Sequence, residues 1–279
     1  MMKTVLWVAT LLAVTFVAAV VFLGWRFELT TEDQVARLNG APPATRTTLS
    51  FAELDGLPAP VQRYFRAVLK DGMTIPHTAR IAQAGQFLIK PPDKWVDFVS
   101  VEYFTANPAG FVWDARMDMA RGLPVKVRDA YVDGTGSMQA AIWGAIPLVD
   151  VVGTPDIAQG ALARYLAEGP WFPVALLPSS GVQWTPIDEV TAQATLTSDD
   201  ATVAVEFSFD SNGMIERVYC AARMRDVDGK GVPTPWQGRL GEYSERDGMV
   251  VPTDGEVAWL LPEGEQVYWK GRVTDAQYE

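Results

Sequence analysis

Residues 4–24 (TVLWVATLLAVTFVAAVVFLG) carry no charged side chain. As a helix this run reaches about 31 Å at ~1.5 Å per residue. The hydrocarbon core of a bilayer is about 30 Å thick, so the run is long enough to cross it. Lys3 lies before it, and Trp25 and Arg26 follow it as interface anchors. No other run in the chain reaches this length without charge, so the sequence reads as a single-pass membrane protein.

The competing reading is a cleaved signal peptide. Such a peptide has an apolar region of about 7–15 residues that ends in small residues at the cleavage site. Here the nearest small-residue match, Val17-Ala18-Ala19, lies inside the apolar run, and Trp25, Arg26 and Phe27 follow the run. The expectation is an uncleaved anchor. No cysteine stands near its end, which excludes a lipoprotein anchor. Lys3 and the terminal amine favour a cytoplasmic N-terminus and an extracytoplasmic C-terminal domain in the cell membrane. The expected organisation is an anchor over 1–26, a juxtamembrane linker over 27–49 with Asn39-Gly40 and Pro42-Pro43, and one domain over 50–279.

Beyond the linker the pattern is first helical. Ser50 and Glu53 fit a capping box. Pro58-Ala59-Pro60 opens a helix in which Val61, Tyr64, Phe65 and Val68 recur on one face, and Gly72 closes it. From residue 78 the period changes to two. Strands are expected over 79–90, 95–105, 111–119, 125–133 and 137–143, joined by short turns that force antiparallel pairing. The meander breaks at 144–180. There Thr154-Pro155-Asp156 starts a helix with a cap, a proline at its first position and an acid near the positive end of the dipole. Gly169-Pro170 ends it, and an apolar segment follows over 171–178. Strands then resume to the C-terminus. The expected fold is α+β and mainly antiparallel β: a strongly curved sheet or open barrel of about ten or eleven strands with covering helices, preceded by one transmembrane helix.

The chemistry-bearing residues are few. The formal net charge of −11 disfavours nucleic acid as a partner. A single histidine, His77, excludes a multi-histidine metal centre, and a single cysteine, Cys220, excludes an intrachain disulfide. Cys220 lies on an alternating apolar face with Val218, Ala222 and Met224 and reads as a small buried hydrophobe. Ser137 is not in a nucleophile elbow. Asp226-Val-Asp228-Gly229 is a fragment of a calcium loop that lacks the remaining ligands. No cofactor, metal or catalytic residue is assigned. Asp114, Asp118, Asp129 and Asp133 stand on neighbouring strands beside Arg116 and Arg128. They read as cross-strand ion pairs on a sheet face, and a hydrolase that used Asp114 and Asp129 would need the two to converge in a cleft.

The aromatics are the stronger signal. The chain has ten tryptophans, eight of them beyond the anchor. A curved sheet covered by the 155–168 helix and the 171–178 segment would enclose an apolar chamber. Its expected ligand-facing residues are Trp113, Trp143, Tyr165, Trp171, Phe172 and Trp184, and its expected partner is a lipid or other apolar ligand. If those rings instead formed an exposed patch, the domain would be a protein-interaction or sensor module.

Five stretches carry a family resemblance: Leu57-Pro-Ala-Pro-Val-Gln-Arg-Tyr-Phe65, Gly110-Phe-Val-Trp-Asp-Ala-Arg116, Arg128-Asp-Ala-Tyr-Val-Asp-Gly134, Arg164-Tyr-Leu-Ala-Glu-Gly-Pro-Trp-Phe-Pro173 and Pro233-Thr-Pro-Trp236. Together they resemble an uncharacterised bacterial family, often membrane-anchored, over roughly 50–275. That resemblance implies no activity and no catalytic residues. The order of strands and helices is also similar to the periplasmic lipoprotein carriers and related anti-sigma-factor regulators. This likeness implies an incomplete barrel covered by helices over an apolar cavity.

Overall fold

The structure is a computed structural model that describes residues 2–40, 48–227 and 229–279. Helix α1 (Met2–Asn39) is long and apolar enough to cross a membrane. It does not stop at Trp25 and Arg26 but continues through residues 27–39. That stretch is rich in Glu, Leu, Gln and Arg and has no glycine or proline before Gly40, so nothing in it ends a helix. Pro42-Pro43 lies outside the described residues, as does Asp228.

A 3-10 turn follows over Phe51–Leu54, where the Ser50 hydroxyl accepts from the Ala52 amide at 3.3 Å. The Glu53 carboxylate accepts from the Ser179 amide at 3.2 Å, so it ties this turn to a distant segment. Helix α2 (Ala59–Val68) buries Val61, Tyr64, Phe65 and Val68, the face its spacing predicts.

The strands are β1 (Thr78–Lys90), β2 (Lys94–Thr105), β3 (Gly110–Asp118), β4 (Pro124–Val132), β5 (Thr135–Ile142) and β6 (Ile146–Val152). Helix α3 (Pro155–Glu168) and three 3-10 turns over 169–180 interrupt them. The chain resumes with β7 (Gln183–Pro186), β8 (Thr191–Ser198), β9 (Ala201–Phe209), β10 (Ile215–Val227) and β11 (Lys230–Gly241). It ends with β12 (Ser244–Arg246), β13 (Met249–Val251), β14 (Asp254–Leu261) and β15 (Gly264–Tyr278). Thirteen strands form one antiparallel sheet in the order β6-β5-β4-β3-β2-β1-β15-β14-β11-β10-β9-β8-β7, and β12 pairs with β13. The C-terminal strand thus joins the two runs by pairing β1 on one edge and β14 on the other.

The fold class is as expected, but the strand count exceeds ten or eleven. Strand β6 lies where a break was expected from residue 144, and it pairs with β5. Its side chains are mostly exposed, so burial imposes no alternation on its sequence. It is an edge strand, where Pro147 is tolerated. Strand β11 starts at Lys230, although Pro233 and Pro235 weaken the strand signal in the sequence before Trp236.

The sheet curls into a half-barrel around one apolar core. Helix α3 lies in the concavity and touches β3, β4 and β5 on one side and β8, β9 and β10 on the other. Thr154 caps it by accepting from the Ile157 amide at 3.3 Å, as the sequence predicts. The segment behind it buries Trp171, Phe172, Val174, Leu176 and Leu177. On the convex side the C-terminal half of α1 packs across β2, β3 and β4. There Val35 and Leu38 meet Tyr103, Val112, Ala130 and Val132.

Candidate functional site

A cavity of about 470 Å³ opens between α3 and the concave face of the sheet. Its wall is aromatic: Phe87 from β1, Trp113 from β3, Trp236 from β11, Trp259 from β14, and Tyr268 and Trp269 from β15. Helix α3 closes the other side with Ile157, Gly160, Ala161 and Arg164. Trp259 and Tyr268 stack with ring centroids 5.7 Å apart. Trp236 donates its indole N–H to the Tyr268 hydroxyl at 2.9 Å. Phe87 meets Tyr268 edge-on at 5.8 Å. The rings therefore brace one another and hold a fixed apolar surface.

Below that surface lies a buried polar network. Arg164 projects from α3 and donates to Glu102 at 3.0 Å, Asp129 at 2.8 Å and Glu168 at 3.0 Å. Its guanidinium also lies 5.0 Å from the ring centres of Phe111 and Trp113. Glu102 is fully buried and accepts from the Gln83 amide at 3.3 Å. The Gln83 carbonyl oxygen accepts from Ser100 at 3.1 Å and from the Trp113 indole at 3.0 Å. Burial pushes the Glu102 carboxyl well above the usual carboxylate range; Glu168 adds to this and Arg164 opposes it. Burial alone would lower Arg164, but Glu168, Glu102 and Asp129 more than offset it. One permanent cation faces three acids here, and burial favours the neutral form of Glu102 among them.

The six residues expected to face a ligand are dispersed. Trp113 lines the cavity. Tyr165 is buried on α3 and donates to the Thr105 carbonyl oxygen at 2.8 Å. Trp171 lies behind the cavity wall, 5.9 Å from Trp269. Phe172 stacks on Tyr278 at 5.9 Å. Trp184 donates to the Leu176 carbonyl oxygen at 2.9 Å and packs on Phe207 and Phe65. Trp143 stands on the outer side at the turn between β5 and β6, against α1. A Cβ on Gly24 would lie 2.7 Å from its carbonyl oxygen.

Sequence reasoning missed the lining from Phe87, Trp236, Trp259, Tyr268 and Trp269, and it missed Arg223 and Arg225. The alternation through Val218 and Cys220 predicts Ala222 and Met224 as the next inward residues. A register shift between Cys220 and Arg223 reverses the parity, so both arginines line the cavity and Ala222 is exposed. Cys220 is buried in the core, as expected. The His77 amide donates to the Glu279 carbonyl oxygen at the end of β15.

Asp114 and Asp129 do not share a cleft. Asp129 faces inward to Arg164, and Asp114 faces the convex side beneath α1, near Arg128, Lys126 and Glu28. Arg128 is itself buried there, donating to the Phe27 carbonyl oxygen at 2.9 Å and the Thr31 hydroxyl at 2.8 Å. It also lies over the Phe27 ring, and Lys126 pairs with Glu28. Burial, then Glu28, raises Asp114 to about 6, against the pull of Arg128 and Lys126. The folded value lies above the unfolded one, so the protonated acid favours the fold. That contribution is complete below about pH 4 and is lost as pH rises through 6. Allowing for the part of the carboxyl that meets water, it amounts to on the order of 2 kcal/mol. Asp114→Asn should therefore flatten the Tm–pH curve between pH 4 and 6. Parallel curves for the variant and the wild type would count against this account.

A curled antiparallel half-barrel with a helix-covered, aromatic-walled cavity is the class that this geometry defines. The chain belongs to the family of unknown function DUF6920, which matches residues 55–278. No curated protein matches it. It is similar to several solved structures. A LolA superfamily protein from Nitrosomonas europaea is 11% identical, with a TM-score of 0.40, over 79% of this chain and 92% of that one. A putative outer membrane lipoprotein-sorting protein domain from Vibrio parahaemolyticus is 9% identical, with a TM-score of 0.38, over 73% and 86%. A DUF1329 family protein from Desulfovibrio piger is 11% identical, with a TM-score of 0.41, over 73% and 86%.

Proposed function

We propose that this chain is a membrane-tethered, extracytoplasmic binding protein that holds a lipid or other apolar ligand without transforming it. In this reading residues 1–26 anchor the chain in the cell membrane and 27–49 join the anchor to the domain, with 27–39 helical and packed on the convex face of the sheet. Residues 50–279 form the single extracytoplasmic domain. The observation that carries the reading is the cavity of about 470 Å³ with its wall of mutually braced rings. Its volume lies in the roughly 300–1,000 Å³ range of small-ligand sites. Of the residues expected from sequence, Trp113 serves as a wall of that site, and the others support it from behind or stand elsewhere. The inward direction of the rings favours this reading over an exposed interaction patch. The separation of Asp114 from Asp129 by the sheet argues against the paired-carboxylate hydrolase.

The test is occlusion of the cavity in the full-length protein. Gly160 lines it, and a Cβ there would meet only the Met224 carbonyl oxygen, at 3.8 Å. Leucine at this helical position should be neutral or stabilising by up to about 1 kcal/mol. Native mass spectrometry of the wild type, released from neutral detergent after incubation with hexadecanol, should show a bound alcohol. Gly160→Leu should reduce that occupancy roughly ten-fold at an unchanged or raised Tm. Absence of bound alcohol in the wild type, or equal occupancy in both proteins, would sink the proposal.

A further inference from the structure

The cavity carries two cations that no acid neutralises among the described residues. Arg223 and Arg225 have no carboxylate within 4 Å among the described residues, whereas Arg164 across the cavity has three. Arg223 donates to the Tyr268 hydroxyl at 3.0 Å and lies 5.0 Å from the Trp236 ring centre and 5.5 Å from that of Trp259. Arg225 lies 5.9 Å from the Trp259 ring centre. The Nε atom of each is buried without a hydrogen-bond partner. The nearest acid in sequence, Asp226, lines the cavity too, but it is exposed and accepts from the Gly229 amide at 3.0 Å, and the cavity's other acids, Asp129 and Glu168, are paired with Arg164. Both arginines face inward only because of the register shift after Cys220. A strand distortion that brings two guanidiniums into an aromatic cavity, with buried donors left over, is costly unless something else accepts from them.

We infer that Arg223 and Arg225 form an anion site inside the cavity, and that its ligand is a single-chain anionic amphiphile. The carboxylate or phosphate head would meet the two guanidiniums, and the chain would lie along Trp236, Trp259 and Phe87. Planar guanidiniums suit either head, because each presents parallel N–H donors to paired oxygens. A volume of about 470 Å³ falls in the lower part of the ligand-site range, which suits one chain better than two. The hairpin ends of β1–β2, β10–β11 and β14–β15 lie at the same end of the sheet, so Arg225 stands nearer the opening and Arg223 deeper. The inference rests on the proposed apolar binding and adds the charge of the ligand.

The test compares two photoactivatable probes with the same sixteen-carbon diazirine chain, one a carboxylate and one an alcohol, on the full-length protein in neutral detergent. The carboxylate should label peptides that line the cavity roughly ten- to hundred-fold more efficiently than the alcohol. Arg223→Gln/Arg225→Gln should bring the two probes to parity while the alcohol still labels the cavity. Equal labelling by both probes in the wild type, or an unchanged ratio in the double variant, would overturn the anion site and leave apolar binding intact. Absence of cavity labelling by either probe would overturn apolar binding itself. If inorganic phosphate raises the Tm of the wild type but not of the double variant, and neither probe labels the cavity, the arginines hold a soluble anion and the amphiphile is wrong.

Discussion

Arg164→Met should cost about 3–5 kcal/mol, the range seen when one partner of a buried charge cluster is removed. Three acids depend on this guanidinium: Glu102 is fully buried, and Asp129 and Glu168 are mostly buried at the cavity wall. Methionine preserves much of the volume, so the loss is electrostatic. For a chain of this size the expected fall in Tm is roughly 6–20 °C. The pH dependence separates this from simple loss of packing. Without the cation, Glu102 loses the group that opposes its upward shift, so it titrates further above its unfolded value. The variant should therefore recover stability as pH falls from 7 towards 4, because the folded state takes up protons first. Adding Asp129→Asn to Arg164→Met should restore part of the lost Tm at pH 7, because one of the acids left without its cation is then neutral at every pH. A variant whose deficit stays constant with pH, and which gains nothing from Asp129→Asn, would mean that Arg164 acts through its contacts with Phe111 and Trp113 instead.

The network around Arg164 shows how far the sequence could be read. Thr154-Pro155-Asp156 marks the start of α3, and the apolar spacing of Ile157, Ala161, Leu162, Tyr165 and Leu166 marks its buried side. Arg164 interrupts that side; its i,i+4 partner Glu168 is legible, but the other two come from β2 and β4 and lie 35 to 62 residues away. The alternation of β3 and β4 likewise places Asp114 and Asp129 on strands. Which face each one takes follows from the cross-strand register, in which Asp114 opposes Arg128 and Trp113 opposes Asp129. The cavity was legible as a class of feature, since many aromatics beside an amphipathic insertion imply a covered sheet. Its lining was not. Trp236, Trp259 and Trp269 lie on strands that become neighbours only when β15 closes the two halves of the sheet. Arg223 and Arg225 reach the inside through a register shift that leaves no mark in the composition. An alternating Arg-x-Arg pair in a strand facing tryptophan-bearing strands is the one local hint, and strand parity decides whether it points inward.

Gly85→Ala should be about as damaging, at roughly 3 kcal/mol or more, because the added methyl group has nowhere to go. Its Cβ would lie 2.0 Å from the Lys270 carbonyl oxygen and 2.7 Å from the Gly271 Cα, both backbone atoms of the neighbouring strand. Gly85 pairs with Gly271, and Gly271 with Gly255, so three glycines stand side by side across β1, β15 and β14. The Trp269 indole folds back over Gly271, where a Cβ would lie 2.3 Å from the ring, and Trp171 and Trp269 fill the space above Gly255. Backbone and indoles thus occupy the volume that side chains would take. Seating this close should bend the sheet where the two runs of strands meet, whose Trp113 and Trp236 line a single cavity. Forcing β15 away from β1 should flatten it. The variant should therefore lose hexadecanol occupancy as well as stability, even at temperatures where it remains folded. Gly241→Ala is the control: it lies at the end of β11, a Cβ there would meet nothing within 4 Å, and its Tm should match the wild type. If Gly85→Ala melted with the wild type and held hexadecanol equally well, β15 could not be seated on β1 this closely, and the curvature of the half-barrel would need another cause.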